Sequence, residues 1–448
     1  MRRRTWTLLL SIFVTWWPAG QGVGLAPQSP SGNIVIEADK TDVGEGQNVV
    51  VTAIAKHADG TPAVRSNLHA RVNGRDWGAE YPTLDSGVAH LLLPLPETGE
   101  NLIAVSDGTD TSEPVTVHVH PRHFDIVLDP KHLIGMEYET QFGPGNAEWG
   151  AAEAVPLLGH YSSLDERVLR QQTLWFNEMG IDFVEIDWTN NLTSPFPNKM
   201  AQECINATDC LLNVYAKMGQ HPLVLILVGP EHNLWRNTED KYDGPWYKAQ
   251  MDYIYQHYLA DPKYRGMWLT YEGKPLVTHY LNGPRSSPPP EIRDPRITIR
   301  YVNAWLQHTH GDKHGCWSWY DQKATPTYYQ GRVEALTITD GYPGIDAPGK
   351  DLDNWLAADA GGKNYGETYR TQWEIAKKYK PLFLFINQWN EFGSPDQYSV
   401  NLSNDMEPTV ITEKGDPRPS GWGFYYMDLT RKEIQEYHEA IRKGHYTR

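Results

Sequence analysis

From His123 onward, short apolar runs alternate with segments of helical periodicity. A continuous apolar run bounded by turn residues is typical of a strand buried on both faces. The pattern predicts eight such strands, at 133–139, 182–188, 222–229, 275–281, 297–303, 316–321, 335–342 and 382–389. Strands interleaved with helices over residues 123–448 predict an α/β fold, a (β/α)8 barrel of the TIM type. The alternative is a doubly wound open sheet, because little helix separates the fifth strand from the sixth.

The clearest helix lies between the first two strands, in "SSLDERVLRQQTLWFNEMG". Ser163 and Glu166 have the spacing of a capping box, which predicts the helix start. Trp175 and Met179 recur at helical spacing, and Gly180 is typical of a helix end. This segment therefore predicts an amphipathic helix that returns the chain to the second strand.

Residues 33–121 have a different pattern, with short alternating runs such as "QNVVVTAIA" and "PVTVHVH" separated by turn clusters. Strands at this spacing without a helical segment predict a small all-β immunoglobulin-like sandwich domain. The segment contains no cysteine and no cluster of acids with aromatic residues. We therefore expect a spacer or packing module and place the catalytic domain at 123–448.

The first 25 residues combine a basic start, Arg2–Arg4, with an apolar stretch from Trp6 to Trp17. That stretch is too short to span a bilayer comfortably and predicts a cleaved signal peptide over residues 1–25. A retained N-terminal anchor is the alternative. The rest of the sequence contains no comparable stretch, so the mature chain is expected to lack a membrane span and to be secreted, periplasmic or at the cell surface.

Charge and aromatic content narrow the class of partner. The formal net charge is −16, which disfavours nucleic acid and anionic membrane surfaces as partners. The chain has 17 Trp and 25 Tyr against 10 Phe. Trp and Tyr combine a flat apolar face with a polar group, which suits stacking on sugar rings. A polysaccharide or glycan is therefore the expected substrate.

Cysteine spacing and common motifs give no indication of a metal or cofactor. Cys204 and Cys210 bracket "ECINATDC", a spacing that predicts a loop-stapling disulfide in an oxidising compartment. Cys316 lies in an apolar stretch and is expected to be buried. HExxH, EF-hand, P-loop and G-x-S-x-G patterns are absent from the sequence. We therefore expect neither a metal nor a cofactor.

Acids and aromatic residues recur where the predicted strands end, which in a barrel of this type is where the active site forms. In chain order these residues are Glu137, Glu139, Asp187, Trp188, Glu231, His232, Trp319, Asp340, Tyr342, Trp389, Asn390 and Glu391. Glycosidic cleavage needs an acid to protonate the leaving oxygen, a second carboxylate and aromatic faces to hold sugars. The pattern therefore predicts a sugar-cleaving cleft.

Two further stretches carry a family resemblance. "WNEF" at 389–392, followed by "NDMEPT" at 404–409, resembles the W-N-E-W-x-E-G…L-E-P motif of glycoside hydrolase family 99 and its relatives, including family 71. The segment "PLLGHYSSLDERVLRQQTLWFNEMGIDFVEIDW", which includes Tyr161, is similar to the start of the barrel in that group. The resemblance implies an endo-acting hydrolase on a (β/α)8 barrel, retaining through a 1,2-anhydro sugar.

The family has two working carboxylates three residues apart in this motif. The first, which assists the 2-hydroxyl, matches Glu391, whereas the second, the general acid/base, falls on Ser394. Asp340 is therefore our first candidate for the partner of Glu391, and Glu407 the second. Asp396 could reach the cleft from the inserted loop.

The remaining residues are expected to hold the substrate. We expect ring stacking on Trp188, Trp319, Tyr342 and Trp389, and hydroxyl contacts from Asn390 and Asp187. Because Ser394 cannot act as an acid, a non-catalytic carbohydrate-binding protein on a degenerate barrel is the alternative function. A role beside a glycosyltransferase is a third possibility, although the sequence has no nucleotide-sugar motif.

Overall fold

The N-terminal part of the chain forms two small sheets. The computed structural model describes residues 33–140, 142–143, 149, 152–189, 199–229, 245–281, 294–303, 316–319, 323–341, 362–392, 403, 405–416 and 418–445. The first strands are β1 (Ile34–Ala38), β2 (Asp42–Gly44), β3 (Asn48–Ala55), β4 (Asn67–Val72), β5 (Arg75–Pro82), β6 (Val88–Pro94), β7 (Gly99–Ser106) and β8 (Val115–His120). One sheet has the order β1-β3-β6 and the other β2-β8-β7-β4-β5.

Alternation of buried and more exposed residues explains these sheets. In β3, Val49, Val51 and Ala53 are buried, and the residues between them are more exposed. Period-two alternation gives each strand one apolar face. All neighbouring strands pair antiparallel except β2 with β8, which are parallel. The alternating runs thus fold as all-β structure, as predicted.

Eight parallel strands form a nearly closed barrel in the described residues that follow β8. They are β9 (Leu133–Tyr138), β10 (Phe183–Trp188), β11 (Leu223–Val228), β13 (Lys274–Leu281), β14 (Thr298–Asn303), β15 (Cys316–Ser318), β17 (Arg332–Thr339) and β18 (Phe383–Asn387). Their order is β15-β14-β13-β11-β10-β9-β18-β17, with the first barrel strand paired to the last. Two short strands, β12 (Thr270–Tyr271) and β16 (Thr327–Tyr329), pair antiparallel with β13 and β17.

This strand order decides between the two predicted architectures. Strands that follow one another in sequence lie side by side, and β9 pairs with β18. A doubly wound sheet instead reverses its strand order and leaves two open edges. Across the gap between β15 and β17, the Thr337 hydroxyl donates a hydrogen bond to the Ser318 carbonyl oxygen. The barrel prediction is confirmed at this level, and the open sheet is wrong.

Helices cover the outside of the barrel. They are α1 (Glu166–Met179), α2 (Lys199–Met218), α3 (Pro245–Ile254), α4 (Glu367–Tyr379) and α5 (Tyr425–His445). α1 begins two residues later than the predicted capping box implies, because Asp165 caps it by accepting a hydrogen bond from the Arg167 N–H. Gly180, with φ 88°, ends α1 as predicted. In the described part of the chain, no helix combines the length and apolar composition of a membrane span.

The lower part of the barrel interior is an apolar layer that requires a glycine. Phe183, Phe383, Phe385 and Trp317 pack there with aliphatic side chains. A Cβ added to Gly135 would lie 2.2 Å from the Phe183 ring. The Phe183 ring can therefore lie over β9 only because residue 135 has no side chain.

We expect Gly135→Ala to lower the free energy of unfolding by about 1–3 kcal/mol, the usual cost of overpacking a filled core. Urea unfolding measures this change. Gly143→Ala is the matched control, because nothing lies within 4 Å of a Cβ at that position. Equal stability of the two variants would contradict the close packing described for Gly135.

The two N-terminal sheets contact α1 through polar groups. The Arg170 guanidinium pairs with Glu45 and donates to the Pro96 carbonyl oxygen at 2.7 Å. The Arg167 guanidinium lies 4.9 Å from the centre of the Trp77 ring. Gln171 donates to the Gly46 carbonyl oxygen at 3.0 Å. The helix that follows β9 is thus held on one side by the barrel and on the other by the N-terminal sheets.

Candidate active site

Four acidic side chains face the barrel interior at the carboxyl ends of β9 and β10. Because side chains alternate along a strand, Glu137 and Glu139 lie on the same face as Gly135, and Glu185 and Asp187 on the same face as Phe183. Glu137 and Glu185 are direct neighbours in the register of the two strands. All four are buried. We call these four residues the lumen acids.

Glu137 has one oxygen in a hydrogen bond and one without. The Asn387 side-chain amide, on the neighbouring strand β18, donates to Oε2. Among the described residues, Oε1 of Glu137 is buried and has no hydrogen-bond partner. Burial raises the pKa of Glu137 well above its usual value, and the charges of Asp187, Glu185, Glu391 and Glu139 raise it further. Its surroundings therefore favour the neutral form of this carboxyl group.

Glu185 is also held in its neutral form. Burial raises its pKa to about 8, and the charge of Asp187 adds to the shift. The Thr278 hydroxyl, on β13, donates to Oε1 of Glu185 at 2.6 Å and moderates that rise. Thr278 therefore fixes the orientation of Glu185 across the barrel.

Asp187 and Glu139 are hydrogen-bonded to each other. Two carboxyl groups can form such a bond only when one of them carries a proton. Burial raises the pKa of Asp187 to about 6, although the Thr189 N–H and hydroxyl both donate to it and lower the pKa. The Gln388 side chain donates to Glu139 at 3.4 Å. The hydrogen bond between Asp187 and Glu139 therefore requires one proton on the pair.

Glu391 lies beside the lumen acids and is more accessible than they are. It follows β18, its side chain is partly exposed, and its charge acts on Glu137. Burial raises the pKa of Tyr280 far above its usual value, with further contributions from Asp187, Glu391 and Glu137. The Tyr280 ring contacts Trp319 edge-on, with ring centres 5.6 Å apart. Glu391 and Trp319 therefore lie where a sugar could meet both an acid and an aromatic face.

Asn390 is a positioning residue for this site. Its side-chain Oδ1 accepts a hydrogen bond from the Glu139 N–H at 2.9 Å, and its Nδ2 donates to the Glu139 carbonyl oxygen at 3.1 Å. It is completely buried. Instead of the predicted hydroxyl contact, Asn390 joins the end of β9 to the segment that carries Glu391.

Asp340 points away from the lumen. Leu336 and Ile338 lie in the apolar layer beneath the helices, and alternation along β17 places Asp340 on the same side. Its Oδ2 accepts from the Lys363 ammonium group at 2.5 Å, and Lys363 also lies 4.2 Å from the centre of the Tyr426 ring on α5. Burial raises the pKa of Asp340 to about 6 although Lys363 lowers it. This placement does not support the predicted partnership of Asp340 with Glu391.

Glu407 also lies on the helix side of the barrel. Tyr161 donates to its Oε2 at 2.7 Å, and Gln172 of α1 donates to its Oε1 at 3.1 Å. Burial raises the pKa of Glu407 to about 8. Tyr161 itself is buried and accepts from Asn390 at 2.9 Å. Glu407 and Tyr161 thus form a buried structural network and do not have the predicted catalytic and substrate-binding positions.

Two of the predicted stacking residues are core residues. The Trp188 indole N–H donates to the Thr208 hydroxyl on α2 at 3.0 Å. Trp389 packs against Phe176 and Trp175 of α1, with ring centres 4.8 Å and 6.0 Å apart. Both tryptophans are completely buried among helix side chains, so stacking on a sugar does not fit either position.

The predicted disulfide is wrong. Cys204 and Cys210 lie six residues apart on α2 and are thiols in the structure. An α-helix rises about 1.5 Å per residue, so the two Cα atoms are about 9 Å apart, beyond the range that a disulfide spans. Cys316 is buried, as predicted.

Other predicted residues lie outside the described part of the chain. They are Glu231, His232, Tyr342 and Asp396, together with Ser394 and the predicted signal peptide. The roles given to these residues from the sequence stay predictions.

Within the described residues, one group of acids is close enough to hold a metal ion, Glu374, Glu433 and Glu436. The ammonium group of Lys377 lies 2.9, 2.7 and 2.7 Å from these three carboxylates, respectively. A lysine thus already balances part of their charge, which explains the cluster as a salt-bridge network between α4 and α5 and not as a metal site.

Sequence reasoning missed Glu185 and Asn387, which contact other members of the site. Both lie inside predicted strands, before the strand ends from which the candidate residues come. Period-two alternation could have found them, since Glu185 shares a strand face with Asp187, and Asn387 shares one with Phe385. The interior acids therefore extend one position deeper than the strand ends.

Comparison with known proteins adds distant structural similarities. The sequence matches no protein-family model and no curated protein. A GH99 endo-α-mannosidase from Bacteroides thetaiotaomicron is 15% identical, with a TM-score of 0.47 over 71% of this chain and 100% of that one. A family 39 glycoside hydrolase from Bacteroides cellulosilyticus is 9% identical, with a TM-score of 0.34 over 89% of this chain and 82% of that one. The adhesin InvE of Yersinia pseudotuberculosis is 19% identical, with a TM-score of 0.19 over 23% and 31%. Similarities at this distance assign neither a family nor an activity to this chain.

Proposed function

We propose that this chain is a glycoside hydrolase that cleaves a polysaccharide or glycan at the carboxyl end of the barrel. The proposal rests on the position of Glu391, a partly exposed carboxylate beside Glu137 and Glu185, two buried acids whose pKa values are raised by burial. Hydrolysis of a glycosidic bond needs a carboxylate and a protonated acid on opposite sides of the bond. Glu391 and the lumen acids supply groups in both states.

In the proposed reaction, Glu391 acts as the base. Its carboxylate takes a proton from the attacking hydroxyl group, while a neutral carboxylic acid protonates the leaving oxygen. Trp319 and Tyr280 offer the aromatic surface at this end of the barrel. The motif around Glu391 resembles that of family 99, which supports an endo mode and an α-mannan-like substrate as the finer form of the proposal.

The domain organisation and location belong to the same proposal. We propose an immunoglobulin-like module at 33–121 that supports the barrel domain at 123–448, and secretion directed by residues 1–25. The contacts of Arg170 and Gln171 with the N-terminal sheets support a packing role for that module.

The test is release of reducing ends from a panel of polysaccharides, including α-mannans, by the purified protein in H2¹⁸O. We expect cleavage of at least one glycan and one ¹⁸O atom in each new reducing end. Calorimetry with the same panel provides the comparison. A protein that binds a glycan but releases no reducing ends would instead be the carbohydrate-binding protein that Ser394 suggests.

A further inference from the structure

The residue aligned with the family's general acid is Ser394, so a proton donor must come from elsewhere in the chain. Neither residue proposed from the sequence is placed for that role. Asp340 is ion-paired with Lys363, and Glu407 is bound by Tyr161 and Gln172, both on the helix side of the barrel. The donor is therefore best sought among the acids that face the lumen.

Of the four lumen acids, only Glu137 has a side-chain oxygen that is buried and lacks a hydrogen-bond partner among the described residues. The amide of Asn387 donates to Oε2, so Oε2 acts as the acceptor oxygen of the carboxyl group. The proton of the neutral group then belongs on Oε1, which is buried and has no partner among the described residues. A buried O–H group without an acceptor is costly, unless a ligand supplies the acceptor.

The other lumen acids are held by hydrogen bonds from neighbouring groups. Asp187 and Glu139 are hydrogen-bonded to each other, and Thr189 donates twice to Asp187. Glu185 accepts from Thr278. Glu137 is also the lumen acid on whose pKa the charge of Glu391 acts. Position and available hydrogen-bonding capacity thus both favour Glu137.

We propose that Glu137 is the catalytic proton donor, with Oε1–H directed at the glycosidic oxygen and Asn387 fixing the carboxyl group through Oε2. This assignment rests on the proposed hydrolase function. Glu137 then replaces the carboxylate that Ser394 lacks. The pairing of β9 with β18 contributes to the reaction, because it places Asn387 beside Glu137.

In the proposed step, one bond at the anomeric carbon breaks and another forms. The bond between the anomeric carbon and the leaving oxygen breaks, and its electron pair stays on that oxygen, which takes the proton from Glu137. The attacking hydroxyl oxygen forms the new bond to the anomeric carbon and gives its proton to Glu391. Glu137 ends as a carboxylate and Glu391 as an acid, and exchange with solvent restores both. For attack by water, the sum is hydrolysis of one glycosidic bond.

The test uses Glu137→Gln and two substrates of the sugar that the wild-type protein releases, an alkyl glycoside and a 2,4-dinitrophenyl glycoside. Dinitrophenolate leaves without protonation, so its release needs no acid. We expect the variant to lose about 10²–10⁴-fold in kcat on the alkyl glycoside, the usual contribution of a general acid, and less than about tenfold on the dinitrophenyl glycoside. Glu407→Gln, which alters a buried glutamate outside the lumen, is the matched control and should affect both substrates equally.

Equal losses on both substrates would overturn the assignment, because a structural role does not depend on the leaving group. A second measurement uses the wild-type protein alone, so the test does not depend on folding of the variant. We expect kcat/KM for the alkyl glycoside to fall as alkaline pH removes the Glu137 proton, and kcat/KM for the dinitrophenyl glycoside to lack that fall. Identical alkaline limbs would also overturn it. If the proposed hydrolase function is itself wrong, the wild-type protein cleaves neither glycoside. That result differs from both outcomes that would overturn the assignment of Glu137.

Discussion

Glu391→Gln is expected to reduce glycan turnover by about 10³-fold, within the range for loss of a general base, and to leave glycan binding nearly unchanged. Glutamine has the shape of glutamate and keeps a hydrogen-bonding oxygen, but it cannot take a proton from the attacking hydroxyl. Glu391 is partly exposed, so water can reach its side chain in the variant as in the wild-type protein. Initial rates of reducing-end release and calorimetry with the same glycan measure the two effects separately.

The control for Glu391→Gln is Glu407→Gln. Glu407 follows the same strand in the chain, but its carboxyl group accepts hydrogen bonds from Tyr161 and from Gln172 of α1 and does not face the lumen. Its exchange should change turnover by less than about threefold, as expected for a group outside the reaction. Turnover by Glu391→Gln within tenfold of the wild-type value would contradict the proposed role of Glu391.

Lys363→Met is expected to lower the free energy of unfolding by about 3–5 kcal/mol, the usual cost of removing one partner of a buried ion pair. Lys363 and Asp340 are both buried, and the Lys363 ammonium group also donates to the Asp405 carbonyl oxygen at 2.6 Å. Methionine fills a similar volume but leaves the Asp340 carboxylate without its cation. Urea unfolding at pH 8 measures the loss.

Two controls separate the charge effect from a packing effect. Burial raises the pKa of Asp340 to about 6, so at pH 5 the carboxyl group is largely protonated and does not need the cation. The loss caused by Lys363→Met should therefore be smaller at pH 5 than at pH 8. Adding Asp340→Asn to the variant removes the charge and should restore part of the stability. A loss that is independent of pH, and that Asp340→Asn does not reduce, would show that packing is responsible.

Most of the fold could be predicted from the sequence, because the barrel strands are continuous apolar runs. Each of the eight predicted runs overlaps an observed parallel strand, and their ends differ by a few residues. The turn-bounded alternation of residues 33–121 likewise predicted all-β structure. Both patterns reflect burial, which local sequence records directly.

The site was predicted less well, because the strand ends alone do not tell which side a residue faces. Glu137, Glu139, Asp187 and Glu391 come together at the lumen, whereas Asp340 turns to the helices. Adjacent residues on a strand face opposite sides of the sheet, so an acid one position further along the strand faces the helices and not the lumen. The partners that decide these roles, such as Asn387 for Glu137, are also far apart in sequence.

The buried acids have a consequence for folding that extends beyond the reaction. Burial raises the pKa of Glu185 and of Glu407 to about 8, far above the value that each has in an unfolded chain. Between about pH 5 and pH 8 the folded state therefore binds protons that the unfolded chain has released, and each such group lowers stability by about 1.4 kcal/mol per pH unit as pH rises. The protein should take up protons from the buffer as it folds, and its urea midpoint should fall steadily from pH 5 to pH 8. In this pH range, protons would thus stabilise the folded state in the way that a bound ligand does.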